Sequence, residues 1–406
     1  MRGSAFVTDG DQRATLAVVR ALGRAGIAVT VGSMQATSLA GSSRYCSKQV
    51  RYPSPSQDGS GFQESLSDEL NRGGYRVLIP MGDITTWLAS EARESIETWT
   101  ELPIPGPDQI KQAQDKGQVL DLAQRLGIPC PAVASLARAD DLAQAARRIG
   151  YPLVIKPRFS HFRRNGCWVS GPVQYAYSEQ DLRQKYHECE ARIPQPLIQE
   201  RLSGEGRGVF LLVWDGQLKG AFCHRRLREK PPWGGVSVYR ESIPLDEGLV
   251  EKSFTLLKAL SWRGVAMIEF KMDARDGLPK LMEVNGRFWG SLQLAIDAGL
   301  NFPLLLYRLA CGENVPSEFD YKIGVKSRWL LGDLDQLLIR LTRSGNGLPE
   351  GSKLKACAEF VKFRERDLHY EVFRRDDPRP GWFELKSYMR EILRSVKGSR
   401  ELSNES

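Results

Sequence analysis

The chain has 406 residues, 41% hydrophobic, 26% charged and 9% aromatic, a balance that excludes wholesale disorder and fibrous repeats and leaves room for two or three domains with full cores. Its net charge of +8 draws anions without separating nucleic acid from nucleotide, phosphorylated substrate or membrane surface. No run approaches the roughly 18 apolar residues of a membrane span, and Met1 to Phe6 passes into a strand-like pattern with no secretory leader, so the expected location is cytoplasmic.

Ala5 to Val7, the polar turn Thr8-Asp9-Gly10-Asp11, a helical period through Leu16, Val19 and Leu22, and Ile27 to Val31 predict strand, helix, strand, the opening of a parallel α/β sheet. That turn lacks GxGxxG and no acid follows Val31, which disfavours a dinucleotide site. The apolar run Val77-Leu78-Ile79 ends in Met81-Gly82-Asp83, and the proline-rich Leu102 to Pro107 marks a boundary, placing a first domain at 1–105. Asp108 to Leu126 reads as one helix and Asp140 to Ile149 as a second. Strands are then predicted at Pro152 to Lys156, Cys167 to Ser170, Leu197 to Glu200, Gly208 to Asp215, Leu218 to His224, Val265 to Met272 and Lys280 to Val284, with a helix from Leu249 to Leu260 between them. Beyond Glu313 regularity fades; residues 321–406 carry 18 Lys or Arg against 13 Asp or Glu, with a polar, frayed end expected after Lys397. These charges alternate in sign, as in Arg364-Glu365-Arg366-Asp367, the pattern of a solvated surface and not of a nucleic-acid track. Seven scattered cysteines without a CxxC pair predict reduced thiols and argue against zinc.

The chemistry concentrates in Val265 to Met272, a turn over Asp273 to Pro279, and Lys280 to Arg287. An antiparallel pairing centred on Asp276 sets Glu269 roughly opposite Glu283 and puts Asn285 and Arg287 on the same face, with Ile268, Phe270, Met282 and Val284 toward a core. Facing glutamates repel, so two of them beside an amide suggest a bound cation, and hard oxygen donors favour magnesium. The alternative is a solvated face on which Lys271 or Arg287 neutralises them. Lys156, at the end of an apolar strand, is placed to reach a phosphate; Lys116 follows Asp115 in the long helix.

The order of these pieces resembles the ATP-grasp superfamily, nearest to its carboxylate-amine ligase and carbamoyl-phosphate-synthetase-like members. The resemblance runs over about residues 5–315 and rests on Asp115-Lys116, Ile155-Lys156-Pro157, Ile198 to Leu202, Gly204-Glu205-Gly206, Ile268-Glu269-Phe270 and Met282 to Arg287. It implies an α/β and α+β multidomain fold: a Rossmann-like pre-ATP-grasp domain over 1–105, then a two-lobed ATP-grasp domain over 106–315. Within the latter, a β-rich lid lobe spans about 130–200 and a C-terminal lobe about 201–315; residues 316–406 form a basic extension. It further implies that Lys116 and Lys156 contact ATP phosphates, that Gln199, Glu200, Arg201 and Leu202 form an adenine-reading hinge, and that Glu205, or its neighbour Arg207, lies near the ribose. Glu269, Glu283 and Asn285 would hold Mg2+ or Mn2+, Arg287 would steady an acyl phosphate, and Arg226 would face the transferred phosphoryl group. The implied activity is an ATP- and magnesium-dependent ligase joining a small-molecule carboxylate to an amine, with no nucleic-acid partner and with a homodimer compatible.

One departure is the segment Arg158 to Gly166, where the family has a flexible loop rich in glycine and serine. It holds one glycine, and either Arg163 and Arg164 replace glycine amides as phosphate contacts or the segment is an exposed basic loop. That departure motivates the other reading, a nucleotide-binding regulatory or scaffold protein without ligase activity. His224, flanked by Arg225 and Arg226, reads as a surface or phosphate-side residue more than a general base. Pro231 to Gly235 reads as a turn bordering an acceptor pocket, with Trp233 equally suited to packing.

Overall fold

The computed structural model describes residues 3–135, 141–343 and 352–404. Near the N-terminus four parallel strands lie in the order Cys46–Arg51, Ala28–Ser33, Ser4–Val7, Val77–Ile79. Ala5, Phe6, Val7 and Val77 to Ile79 are all buried, as continuous apolar strands must be when helices cover both faces of a sheet. The helices Arg13–Arg24, Gly59–Gly73 and Asp83–Glu91 supply that cover.

The helix expected over Asp108 to Leu126 is broken in two, Pro107–Gln114 and Lys116–Arg125. Asp115 breaks it: its backbone is extended and its carboxylate accepts from Gln118 N at 3.1 Å, capping the second helix. Lys116 therefore stands at a helix start instead of mid-helix.

A second sheet orders Val133–Ser135, Leu197–Glu200, Leu153–Lys156 and Gln174–Ala176, antiparallel throughout. Helices Leu142–Ile149 and Glu179–Glu190 close a core of its own around Leu142, Ile155, Leu182, Tyr186 and Ile198. The segment read as a glycine-poor loop is in part a hairpin, Phe162–Arg164 against Cys167–Val169, turning through Asn165 and Gly166, both at positive φ. Asn-Gly is the pair that a two-residue turn of that hand selects.

The largest sheet has seven strands, in the order Pro279–Asn285, Gly264–Met272, Gly206–Trp214, Gln217–Lys230, Val236–Ser242, Lys326–Arg328, Leu368–Tyr370. The final pairing is parallel and the rest are antiparallel. The last two strands correct the expectation of a basic extension after 316, because that segment completes the sheet. It also packs onto the N-terminal sheet's first helix through charges taken out of water: Arg20 donates to Asp377 at 2.9 Å, both almost fully buried, and Glu371 pairs with Arg13 and Arg240. Such pairs are costly to break one-sidedly. The last helix, Arg379–Asn404, runs past Lys397, after which a frayed, polar end is expected. No helix among the described residues is long and apolar enough to cross a membrane.

Candidate active site

Glu269 and Glu283 are register partners across the hairpin of Gly264–Met272 and Pro279–Asn285. A bulge follows, because Phe270 pairs with Leu281 and leaves Met282 as the extra residue. Leu281 thus takes the core position expected for Met282, and the Met282 carbonyl is free to accept from Lys156 Nζ at 3.1 Å. Lys156 Nζ also lies 3.7 Å from Glu283, whose other oxygen accepts from Asn285 Nδ2 at 3.2 Å. Arg226 pairs with both Glu269 and Glu229. The cations facing the two glutamates are therefore Arg226 and Lys156, not Lys271 or Arg287.

These partners split the carboxyl pair. Burial pushes both upward; for Glu283 the attraction of Lys156 and then Lys116 more than reverses this and holds it well below the usual range. Glu269 stays raised, since burial outweighs Arg226 and Glu283 adds repulsion. Lys116 is itself pushed down to about 8 by burial, against the pull of Glu283. Its ammonium donates to Ser160 Oγ at 2.8 Å.

Arg287 is held from a distant part of the chain: Asp83, at the start of the helix after Val77–Ile79, takes two of its N–H groups at 2.6 and 3.1 Å. Burial pushes the Asp83 carboxyl up, yet Arg287 wins and holds it below its ordinary value. His161 stands 3.7 Å from the same carboxylate.

Ten of the twelve residues singled out in the sequence line one cleft of about 590 Å³: Lys156, Gln199, Glu200, Arg201, Leu202, Arg226, Glu269, Glu283, Asn285 and Arg287. Lys116 lies off the wall and acts on it through Glu283. Glu205 points away: Gly206, Arg226 and Glu269 share the cleft face, so period two turns Glu205, Arg207 and Arg225 to the other side, where Glu205 accepts from Arg207 at 2.9 Å and lies 3.6 Å from Arg225. Glu200 is committed, one oxygen to Ala132 N and the other to Arg275, both at 2.8 Å. Gln199 is buried, and its Oε1 has no partner among the described residues. Arg163 and Arg164 reach Glu91 and the Ala191 carbonyl, away from the cleft, while Trp168 docks edge-on against Trp87.

Sequence reading missed Asp83, His161, Ser160 and the burial of His224. His224 lines the cleft at 1% exposure, and burial followed by Arg226 and Arg240 lowers its pKa far enough to keep the imidazole neutral. Neither ring nitrogen has a partner among the described residues. The turn after Lys230, including Trp233, lines the same cleft.

Residues 192–330 match the family model described as ATP-grasp in the biosynthetic pathway with Ter operon. The biotin carboxylase domain of the Hydrogenobacter thermophilus 2-oxoglutarate carboxylase, solved with MgADP, ADP and bicarbonate, superposes at a TM-score of 0.65 with 15% identity, over 80% of this chain and 74% of that one. Residues 192–330 thus carry the ATP-grasp signature, on a chain with the fold of that solved domain. L-amino acid ligase from Bacillus licheniformis has the same fold at a TM-score of 0.62 and 17% identity, over 80% of this chain and 79% of its own. In sequence, the chain is 26% identical over 223 residues to the carbamoyl phosphate synthase large chain of Vibrio cholerae, 52% of this chain and 19% of that protein. It spans about a fifth of the length of the curated relatives it matches. The family match holds Gln199 to Leu202 and the Glu269–Glu283 hairpin, whereas Asp83, Lys116, Lys156 and the last strand and helix lie outside it.

Proposed function

We propose that this protein is an ATP- and magnesium-dependent ligase that activates a carboxylate as an acyl phosphate and passes it to an amine. The observation that carries the reading is the Glu269–Glu283 pair, facing across one hairpin in a cleft that also presents Lys156, Asn285, Arg226 and Arg287. Two carboxylates and an amide oxygen suit a magnesium ion, which Glu269, Glu283 and Asn285 would hold. Bound there, it would supply neutralising charge to the phosphates. Lys156 holds the triphosphate, with Lys116 acting through Glu283, and the Gln199 to Leu202 strand end presents backbone groups and the free Gln199 oxygen to the base. An oxygen of the carboxylate attacks the γ-phosphorus; the bond to the β-bridging oxygen breaks, and ADP leaves with its electron pair. Arg226 and Arg287 face the oxygens that gain charge in this step. The amine nitrogen then attacks the acyl carbon, the C–O bond to phosphate breaks, and phosphate and a proton are released. On this reading the three large sheets belong to a pre-domain over 1–105, a lid over about 130–200 and a catalytic lobe from 201 onward.

The test is ADP release from purified protein against pooled carboxylates and amines. The expected result is release that needs both substrates and is lost in Glu283→Gln with the circular dichroism spectrum unchanged. Nucleotide binding without ADP formation across the panel favours the regulatory reading; full turnover in Glu283→Gln removes the metal role.

A further inference from the structure

A second cavity, about 740 Å³, lies between the start of helix Arg13–Arg24, the segment after Ala28–Ser33, and the last helix. Gly290 lines both this cavity and the cleft, so the two meet at that residue. Ala14, Leu39, Phe383 and the Trp329 indole give it an apolar part, beside the charged Asp11, Arg13 and Arg390. Set into it is Glu384, whose Oε1 accepts from Trp329 Nε1 at 2.8 Å. Its Oε2 is buried and has no partner among the described residues. The nearby Arg13 does not serve it, being paired with Glu371 and laid over Trp329 at 3.7 Å. Burial accordingly pushes the Glu384 carboxyl up to about 7.

A buried, unpartnered carboxylate oxygen is an acceptor awaiting a donor, and leaving it so is costly. We infer that this cavity binds the amine co-substrate, with its N–H groups on Glu384 Oε2, its apolar body on Phe383 and Leu39, and access to the cleft past Gly290. The inference rests on the ligase reading for the word co-substrate; the amine site itself does not. Phe383, Glu384 and Ser387 fall outside residues 192–330, so amine choice is set by this chain's own C-terminal helix and not by the part shared with the family model.

Isothermal titration of the full chain tests it, with L-phenylalaninamide, L-leucinamide and agmatine as probes and N-acetyl-L-phenylalaninamide as the matched compound without a basic amine. At least one free amine binds below about 10 mM, the acetylated compound binds about tenfold or more weakly, and Glu384→Gln weakens the amine by a similar factor while MgADP affinity is unchanged. Ser387→Trp, which fills the cavity without removing the carboxylate, abolishes amine binding and spares MgADP. Equal binding of the acetylated compound, amine binding unaffected by both variants, or no heat from any amine overturns the inference. If MgADP fails to bind while the amine does, the ligase reading falls and the amine site stands; the reverse outcome sinks the amine site alone.

Discussion

Lys116→Met is expected to stabilise the protein while removing the charge that Lys116 lends the cleft through Glu283. Burial drops the folded-state value of Lys116 from 10.5 to about 8, a gap that corresponds to about 3 kcal/mol against carrying the ammonium at neutral pH. Methionine keeps the buried stem and loses only the charge and the bond to Ser160, so the net gain at pH 7 is about 2 kcal/mol. The sign follows from the protons. Below pH 8 both folded and unfolded chains hold the ammonium, and the cost is fully present. Between 8 and 10.5 the unfolded chain binds more protons than the folded one, so wild-type stability rises; above 10.5 the cost is gone. The advantage of the variant therefore shrinks as pH rises from 7 toward about 10. Urea unfolding with EDTA present, followed by tryptophan fluorescence at both pH values, measures it. A variant less stable than wild type at pH 7, or an advantage independent of pH, refutes the burial account of Lys116. Loss of nucleotide affinity in the same variant is the functional counterpart.

Asp377→Ala leaves the guanidinium of Arg20 buried and unpaired, and is expected to cost about 3–5 kcal/mol and to open the C-terminal segment to limited proteolysis; a cost near zero shows that segment to be loosely attached. Asp83→Asn removes the charge that holds Arg287 and is expected to reduce ADP release about tenfold or more with little change in thermal stability, because the amide keeps a hydrogen-bonding group at a side chain that is partly exposed and not in a core. Gly166→Val forces a β-branched residue to φ +82°, so the 162–169 hairpin should become protease-sensitive at a local cost of about 1–3 kcal/mol, with nucleotide affinity unchanged.

The facing glutamates were legible because their spacing is symmetric about Asp276, and register in a short hairpin is a local property. The bulge beside them was not, since nothing in Leu281-Met282-Glu283 marks which residue is extra; only Lys156, arriving from another sheet, takes up the freed carbonyl. Asn165-Gly166 did carry a local turn signal, and reading the segment as a loop overlooked it. Lys326–Arg328 and Leu368–Tyr370 offer three residues each, too few for an apolar period, and their place at the sheet edge is fixed by tertiary contacts. Asp83 meets Arg287 across 204 positions, a pairing no window along the chain contains.

The pair between Arg20 and Asp377 has a temporal meaning. The two are 357 positions apart, and a ribosome adding about 5–20 residues per second needs on the order of tens of seconds to cross that gap. Throughout that interval the first helix carries a guanidinium with no acid to meet it, so the nascent N-terminal sheet cannot finish packing on this side. Synthesis and completion of the architecture are thereby ordered: the earliest residues wait for some of the latest.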